Sequence, residues 1–183
     1  MVKNDEYTPM IIDIKMVLDT APFWQRHPDL SQNLHTPREI EPEEAFMVAV
    51  PKQNVCKHAS DKLELAARKG DVLRWHVSHT ARDLLYVILC KIMADSIDSQ
   101  LTTIPKIAVT SRSFPVPNTA DPTRYAESQH VDTYFHCKVN GYGKQYYTLL
   151  FYIVERNNVD GSLDTVGYFS WKSMLVIREP QSF

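Results

Sequence analysis

Apolar and polar side chains alternate every second residue over residues 10–19, with Ile12, Ile14, Met16 and Leu18 in one set and Asp13 and Lys15 in the other. That period predicts a half-buried β-strand. Residues 20–44 carry Pro22, Pro28, Pro37 and Pro42. Each proline lacks an N–H donor and fixes its own φ, so the segment reads as a long loop with at most one helical turn. The apolar run Ala45-Phe46-Met47-Val48-Ala49-Val50 ends at Pro51, and with residues 54–58 it predicts two strands around a turn. Residues 60–68 suit a helix by propensity, yet Leu63 and Leu65 alternate as a strand would, and the pattern leaves both readings open.

Lys69-Gly70-Asp71 supplies a turn, and Val72-Leu73-Arg74-Trp75-His76-Val77 leaves it as a strand. Leu73, Trp75 and Val77 share one face; Arg74 and His76 share the other. Residues 84–90 are apolar and rich in β-branched and aromatic side chains, which predicts a central strand. Beyond them Pro105, Pro115, Pro117 and Pro122 break the chain. Ile104, Ile107 and Val109 are expected to form one edge strand there, with irregular surface around it.

The C-terminal third has the clearest strand pattern. Tyr134-Phe135-His136-Cys137-Lys138-Val139 leads into Asn140-Gly141, a pair suited to the positive φ angles of a tight hairpin. Strands follow over residues 146–155, 165–171 and 174–177, with a loop at 157–161. Short strands separated by turns, without strand–helix alternation, predict an all-β, antiparallel β-sandwich of jelly-roll or cupredoxin/Ig-like type with few short helical turns. A length of 183 residues makes one domain over residues 1–183 the expectation.

Charge narrows the function. The net charge is −2 and no run of basic residues occurs, so the electrostatic footprint of a nucleic-acid binder is missing. No stretch approaches the roughly 20 apolar residues of a membrane-spanning helix. The N-terminus carries Asp5 and Glu6 where a signal peptide needs an apolar run, which predicts a cytoplasmic protein. Cys56, Cys90 and Cys137 are widely spaced and odd in number, the pattern of reduced, buried thiols.

The order of three segments resembles the AidA/PixA inclusion-body protein family over nearly the whole chain. They are Ile12-Asp13-Ile14-Lys15-Met16-Val17-Leu18-Asp19-Thr20; Lys69-Gly70-Asp71-Val72-Leu73-Arg74-Trp75 ahead of Tyr86-Val87-Ile88-Leu89; and Tyr152-Ile153-Val154-Glu155-Arg156 ahead of Gly167-Tyr168-Phe169-Ser170-Trp171. The resemblance implies a bacterial β-sandwich protein without a catalytic motif. It further implies accumulation in intracellular inclusions for some members, and quorum-sensing or phase-dependent control with host association for others. PixA-type members are methionine-rich, and the six methionines here depart from that pattern.

No constellation of catalytic residues is evident. His76 and His79, three apart, would point to opposite faces of a strand; they could converge only if the chain bends at Ser78, and no CxxC or carboxylate pair nearby completes a set of metal ligands. His130, His136 and Cys137 with His76 would suit a copper site, but a cupredoxin places its Cys and second His in a late loop, and residues 151–174 contain neither. No G-x-S-x-G elbow, P-loop or G-x-G-x-x-G is present. Asp160 and Asp164 flank Gly161 without the spacing or the closing Glu of a calcium loop, so they read as a solvated hairpin loop. No catalytic residue, metal or cofactor is therefore assigned.

Aromatic residues offer a binding surface instead. Tyr142, Tyr146, Tyr147, Tyr152, Tyr168, Phe169 and Trp171 cluster late in the chain. Alternation puts Tyr147, Leu149, Phe151 and Ile153 on one face and Tyr146, Thr148, Leu150 and Tyr152 on the other, without saying which is exposed. Trp24, Tyr142 and Tyr168 are taken as the accessible aromatics, suited to a host glycan or protein. The function expected is a non-enzymatic interaction protein. The rivals are a storage or structural protein that accumulates in inclusions, and a His-dependent metalloprotein. Edge strands must be protected or paired, so a homodimer is also expected.

Overall fold

The computed structural model describes residues 7–18, 29–50, 55–59, 61–79, 85–95 and 101–180, with backbone alone at 55–59 and 79. In chain order the strands are β1 Ile11–Leu18, β2 Arg38–Glu39, β3 Ala45–Val50, β4 Val55–Ala59, β5 Lys62–Ala66 and β6 Val72–His79. They continue with β7 Leu85–Ala94, β8 Lys106–Pro117, β9 Tyr125–Lys138, β10 Gly143–Arg156 and β11 Leu163–Arg178. A single 3-10 turn, Pro42–Glu44, precedes β3 among the described residues.

The class is all-β, in two sheets. The first runs β3-β1-β6-β9-β8; the second runs β4-β5-β11-β10-β7, with β2 added on β11. The two-residue period explains the facing. Ile12, Ile14, Met16 and Leu18 of β1 are fully buried, as are Leu73 and Trp75 of β6. From the second sheet Tyr147, Leu149, Phe151 and Ile153 of β10 and Phe169 and Trp171 of β11 meet them. Trp75 touches Tyr147 across the gap at 5.6 Å between ring centroids, and Phe151 stacks on Phe169 at 5.5 Å within the second sheet. The face of β10 that alternation left undecided is thus settled: the Tyr147 set is core, while the Tyr146 set is turned away from it, exposed at Tyr146, half-buried at Thr148 and Tyr152, and buried at Leu150.

Pairing resolves the other ambiguity as well. Residues 62–66 are a strand, because β5 is held between β4, antiparallel, and β11, parallel. Both sheets are mixed rather than antiparallel throughout, with β1 parallel to β6 and β11 parallel to β5 and β2. The parallel pairs join strands far apart in sequence, so the hairpin constraint that enforces antiparallel pairing at β4–β5, β8–β9 and β10–β11 does not act on them.

Three further expectations are corrected. Asn140-Gly141 closes no hairpin: β9 belongs to the first sheet and β10 to the second, and neither residue has a positive φ. The crossing is held by Leu101, whose carbonyl accepts from the N–H groups of Asn140 and Gly141 at 2.7 and 3.2 Å. β7 lies at a sheet edge, not its centre. Its outward Tyr86 and Ile88 give it the pattern of a strand buried on both sides. Finally, the proline-bearing segment forms the long strand β8 through Pro115 and Pro117, and β9 starts at Tyr125 rather than Tyr134.

Polar groups inside the core are used to fix segments. Asp71 is fully buried, and its carboxylate accepts from the backbone N–H of Met10 at 2.7 Å, from that of Arg68 at 2.7 Å and from the Tyr7 hydroxyl. Gly70 makes this turn possible with φ +95°, where a side chain would be strained. At the crossing, Gln145 Oε1 accepts from Leu101 N at 3.1 Å and from the Tyr147 hydroxyl at 3.0 Å, while Thr102 Oγ1 lies 2.8 Å from that hydroxyl. Burial pushes the Tyr147 phenol above its ordinary range, so it stays a neutral donor.

Candidate functional site

Outward residues of β7, β10 and β11 come together near the loop joining β10 to β11. The registers Tyr152↔Ile88 and Tyr152↔Tyr168 put one tyrosine pair side by side, and Val154↔Tyr86 and Val154↔Thr165 extend the row. The Tyr152 and Tyr168 rings lie 5.7 Å apart, tilted by 45°. Arg156 places its guanidinium carbon 5.6 Å over the Tyr86 ring, donates from Nε to the Tyr86 hydroxyl at 3.3 Å and from Nη1 to the Gly161 carbonyl at 3.0 Å. These contacts orient both the Tyr86 ring and the loop. The result is an open groove of about 590 Å³ lined by Tyr86, Ile88, Tyr152, Val154, Arg156 and Thr165, with Leu163 at its rim. Gly161, φ +73°, turns the loop back, and Asp160 accepts from Ser162 N at 2.9 Å.

Such a groove offers flat apolar rings with hydroxyl tips, a threonine hydroxyl and a cation, which is a surface for binding. Of the aromatics taken from the sequence as accessible, Tyr168 lies beside this groove, half-buried against Tyr152. Tyr142 does not join it. It sits at the other end of the sheet with the Lys69 ammonium 5.6 Å from its ring centroid. From Tyr142 to Tyr152 the chain rises about 3.3 Å per residue, which separates them by roughly 30 Å. Trp24 lies outside the described residues. Tyr86 and Arg156, which shape the groove, carry no site signal in the sequence, because their meeting depends on β7 pairing with β10.

A second polar cluster occupies the outer face of the first sheet. Asp13 takes a bidentate pair from Arg74, at 2.7 and 2.8 Å, and His76 Nε2 lies 3.1 Å from the same carboxylate. Tyr134 covers it, 5.3 Å from the Arg74 guanidinium and 5.5 Å from the His76 ring. Burial of Asp13 opposes ionisation, but the hydrogen bonds and charges of Arg74 and His76 outweigh it and hold the carboxyl below its ordinary range. A depressed carboxyl contributes stability above its unfolded pKa and loses it as pH falls through the folded value. The wild-type protein should therefore lose stability relative to Asp13→Asn as pH drops below about 4. Urea midpoints for the two proteins at neutral and acid pH check this; parallel curves would overturn it.

The histidines are dispersed. His76 pairs with Asp13; His130 stands 3.0 Å from Asp132, far out on the β8–β9 hairpin; and Cys137 points into the core while its neighbour His136 points out. The side chain of His79 lies outside the described residues. Among the described residues no three His, Cys, Asp or Glu side chains gather closely enough to hold a metal ion. Cys90 and Cys137 are free thiols, and burial raises both above the ordinary thiol range.

The sequence profile of PixA, described as inclusion body protein, matches residues 10–177. The chain belongs to the PixA inclusion body protein family. The crystal structure of an inclusion body protein (PixA) from Burkholderia cenocepacia shares the fold of this family member, with a TM-score of 0.77 at 19% identity over 96% of this chain and 99% of that one. A cysteine protease inhibitor from Entamoeba histolytica aligns with a TM-score of 0.25 at 12% identity, over 64% of this chain and 85% of that one. That value is too low to inform the fold. No curated protein matches by sequence. The PixA match spans the first strand, the Lys69-Gly70-Asp71 turn and the groove residues alike.

Proposed function

We propose that this PixA family protein is a non-enzymatic recognition protein that binds a saccharide in the groove lined by Tyr86 and Tyr152, with Tyr168 beside it. The observation that carries the reading is the Tyr152–Tyr168 pair beside the Arg156-braced Tyr86. Aromatic faces pack against the C–H faces of a sugar ring. The tyrosine and threonine hydroxyls and the guanidinium supply the hydrogen bonds that orient it. Recognition of a host glycan fits the host association that the family resemblance implies.

The test is a glycan-array screen of the full chain followed by calorimetric titration of any hit. Tyr152→Ala and Tyr168→Ala are each expected to weaken binding about tenfold or more, as central aromatic contacts do. Tyr142→Ala, at the far end of the sheet, is expected to bind as wild type. A blank array, or hits that survive both groove substitutions, would overturn the reading.

A second reading, accumulation as a storage or structural protein inside the cell, is favoured by the family's description as inclusion body protein. Overexpressed protein would then form ordered inclusions that dissolve on changing pH, and it would do so equally in the Tyr152→Ala variant.

A further inference from the structure

The β8–β9 hairpin stands off the body of the protein. β9 is paired with β6 only over Phe135, His136, Cys137 and Lys138, whereas β8 and β9 pair along the whole of β8. Ile107, Val109 and Val131 consequently lie on the core-side face but beyond the core, 58%, 64% and 61% exposed. β8 is also the outermost strand of its sheet, with no partner on its far side among the described residues.

Proline fixes which backbone groups that far side presents. Pro115 and Pro117 are opposite Glu127 and Tyr125 and have no N–H to give β9, so the ladder to β9 runs through the even-numbered residues of β8. The odd-numbered residues Ile107, Val109, Ser111 and Ser113 then turn N–H and C=O toward the open edge. An exposed edge is usually blunted by charge or proline. Here the charged residues of β8, Lys106 and Arg112, are even-numbered, and Arg112 is tied across the hairpin to Asp132 at 2.6 Å. Proline blocks only the ends, at Pro105 and Pro115.

These blocks are equidistant from Thr110. If β8 meets an antiparallel copy of itself with the two-fold axis at Thr110, Val109 faces Ser111, Ile107 faces Ser113 and Pro105 faces Pro115. Every open donor between the prolines finds an acceptor, and the ladder stops where the prolines stop it. The even positions are equally compatible: Arg112 faces Ala108, Lys106 faces Phe114, Thr110 faces Thr110, and no cation opposes another. Such self-complementarity is what a two-fold interface requires of one strand, and nothing obliges an unrelated partner to match it.

We propose that two copies of this chain associate through antiparallel β8–β8 pairing centred on Thr110, joining their five-stranded sheets into one. This is independent of saccharide binding, which uses the other sheet. Sedimentation velocity of the full chain over a concentration series is expected to show a monomer–dimer equilibrium. Val109→Pro removes an edge donor that β9 does not use, so at concentrations where both proteins are monomeric it should leave the melting temperature unchanged, while raising the dimer dissociation constant about a hundredfold.

Cysteine placement tests the register. Thr110 would face its copy at a non-hydrogen-bonded position, with Cα atoms about 4.5 Å apart, within disulfide reach. Under mild oxidation Thr110→Cys should form a covalent dimer, whereas Ala108→Cys and the wild-type cysteines should not. A wild type that stays monomeric at all concentrations, or a dimer unaffected by Val109→Pro, overturns the proposal. Equal crosslinking at positions 108 and 110 overturns the register.

Discussion

Asp71→Ala is expected to cost about 4 kcal/mol of folding stability, the sum of two stranded backbone donors and a lost charge-assisted hydroxyl contact. The carboxylate is fully buried and divides its oxygens between separate segments: Oδ1 accepts from Met10 N and the Tyr7 hydroxyl, Oδ2 from Arg68 N. Its own backbone carbonyl accepts from Val139 N at 2.8 Å, and Val72 N donates to Met10 O at 2.8 Å. One residue thereby ties the chain ahead of β1, the turn ahead of β6 and the end of β9. Alanine cannot replace any of the side-chain bonds, and the site is too enclosed for water to satisfy the abandoned N–H groups in full.

A loss of that size is a large part of the 5–15 kcal/mol that holds a typical domain together. Asp71→Asn should fall between, because its Oδ1 still accepts from Met10 N while its amide meets the Arg68 N–H donor to donor. Tyr7→Phe should cost only about 1 kcal/mol, one hydrogen bond at the margin of the core. Urea unfolding with unchanged m-values is the measurement. An Asp71→Ala midpoint within error of wild type would mean that the turn holds without its carboxylate.

How far such features can be read from the sequence depends on whether they are local. The alternation of Ile12, Ile14, Met16 and Leu18 and of Leu73 and Trp75 names the core side of β1 and β6 correctly, because a strand's period reports its own two faces. The partner of a strand is not local information. Nothing in residues 12–18 indicates a parallel neighbour some sixty residues later, and Leu63 with Leu65 does not decide between strand and helix until β11 is beside them.

The full length of the β8–β9 hairpin is hidden for the opposite reason. Both its faces are solvated beyond Phe135, so the apolar period that reveals a strand fades, and the prolines that argue against a central strand are acceptable at an edge. Asn140-Gly141 misleads because the pair permits a tight hairpin without requiring one. At the groove, Tyr168 can be picked out as an aromatic with a polar tip, but Tyr86 and Arg156 acquire their role only through the β7–β10 register.

Trp75→Ala should destabilise the protein by about 4 kcal/mol, within the range for removing a large aromatic side chain from a core. Trp75 is fully buried at the point where the two sheets meet, against Tyr147. It also borders a cavity of about 290 Å³ lined by Val77, Val87, Leu89 and Phe135 between β6, β7 and β9. Collapse around the missing indole would have to close that space as well as the new one. The surrounding β-strands are fixed by their ladders, so the site relaxes little and the cavity term stays large.

The same geometry predicts what rescues it. Trp75→Phe retains a ring against Tyr147 and should lose about 1–2 kcal/mol. An apolar additive the size of the indole should raise the melting temperature of Trp75→Ala more than that of wild type, because only the variant adds the indole's enclosed space to the existing cavity. If Trp75→Ala lost less than Val77→Ala, whose side chain is only partly buried beside the same cavity, the inter-sheet contact at Trp75 would not be what holds the two layers together.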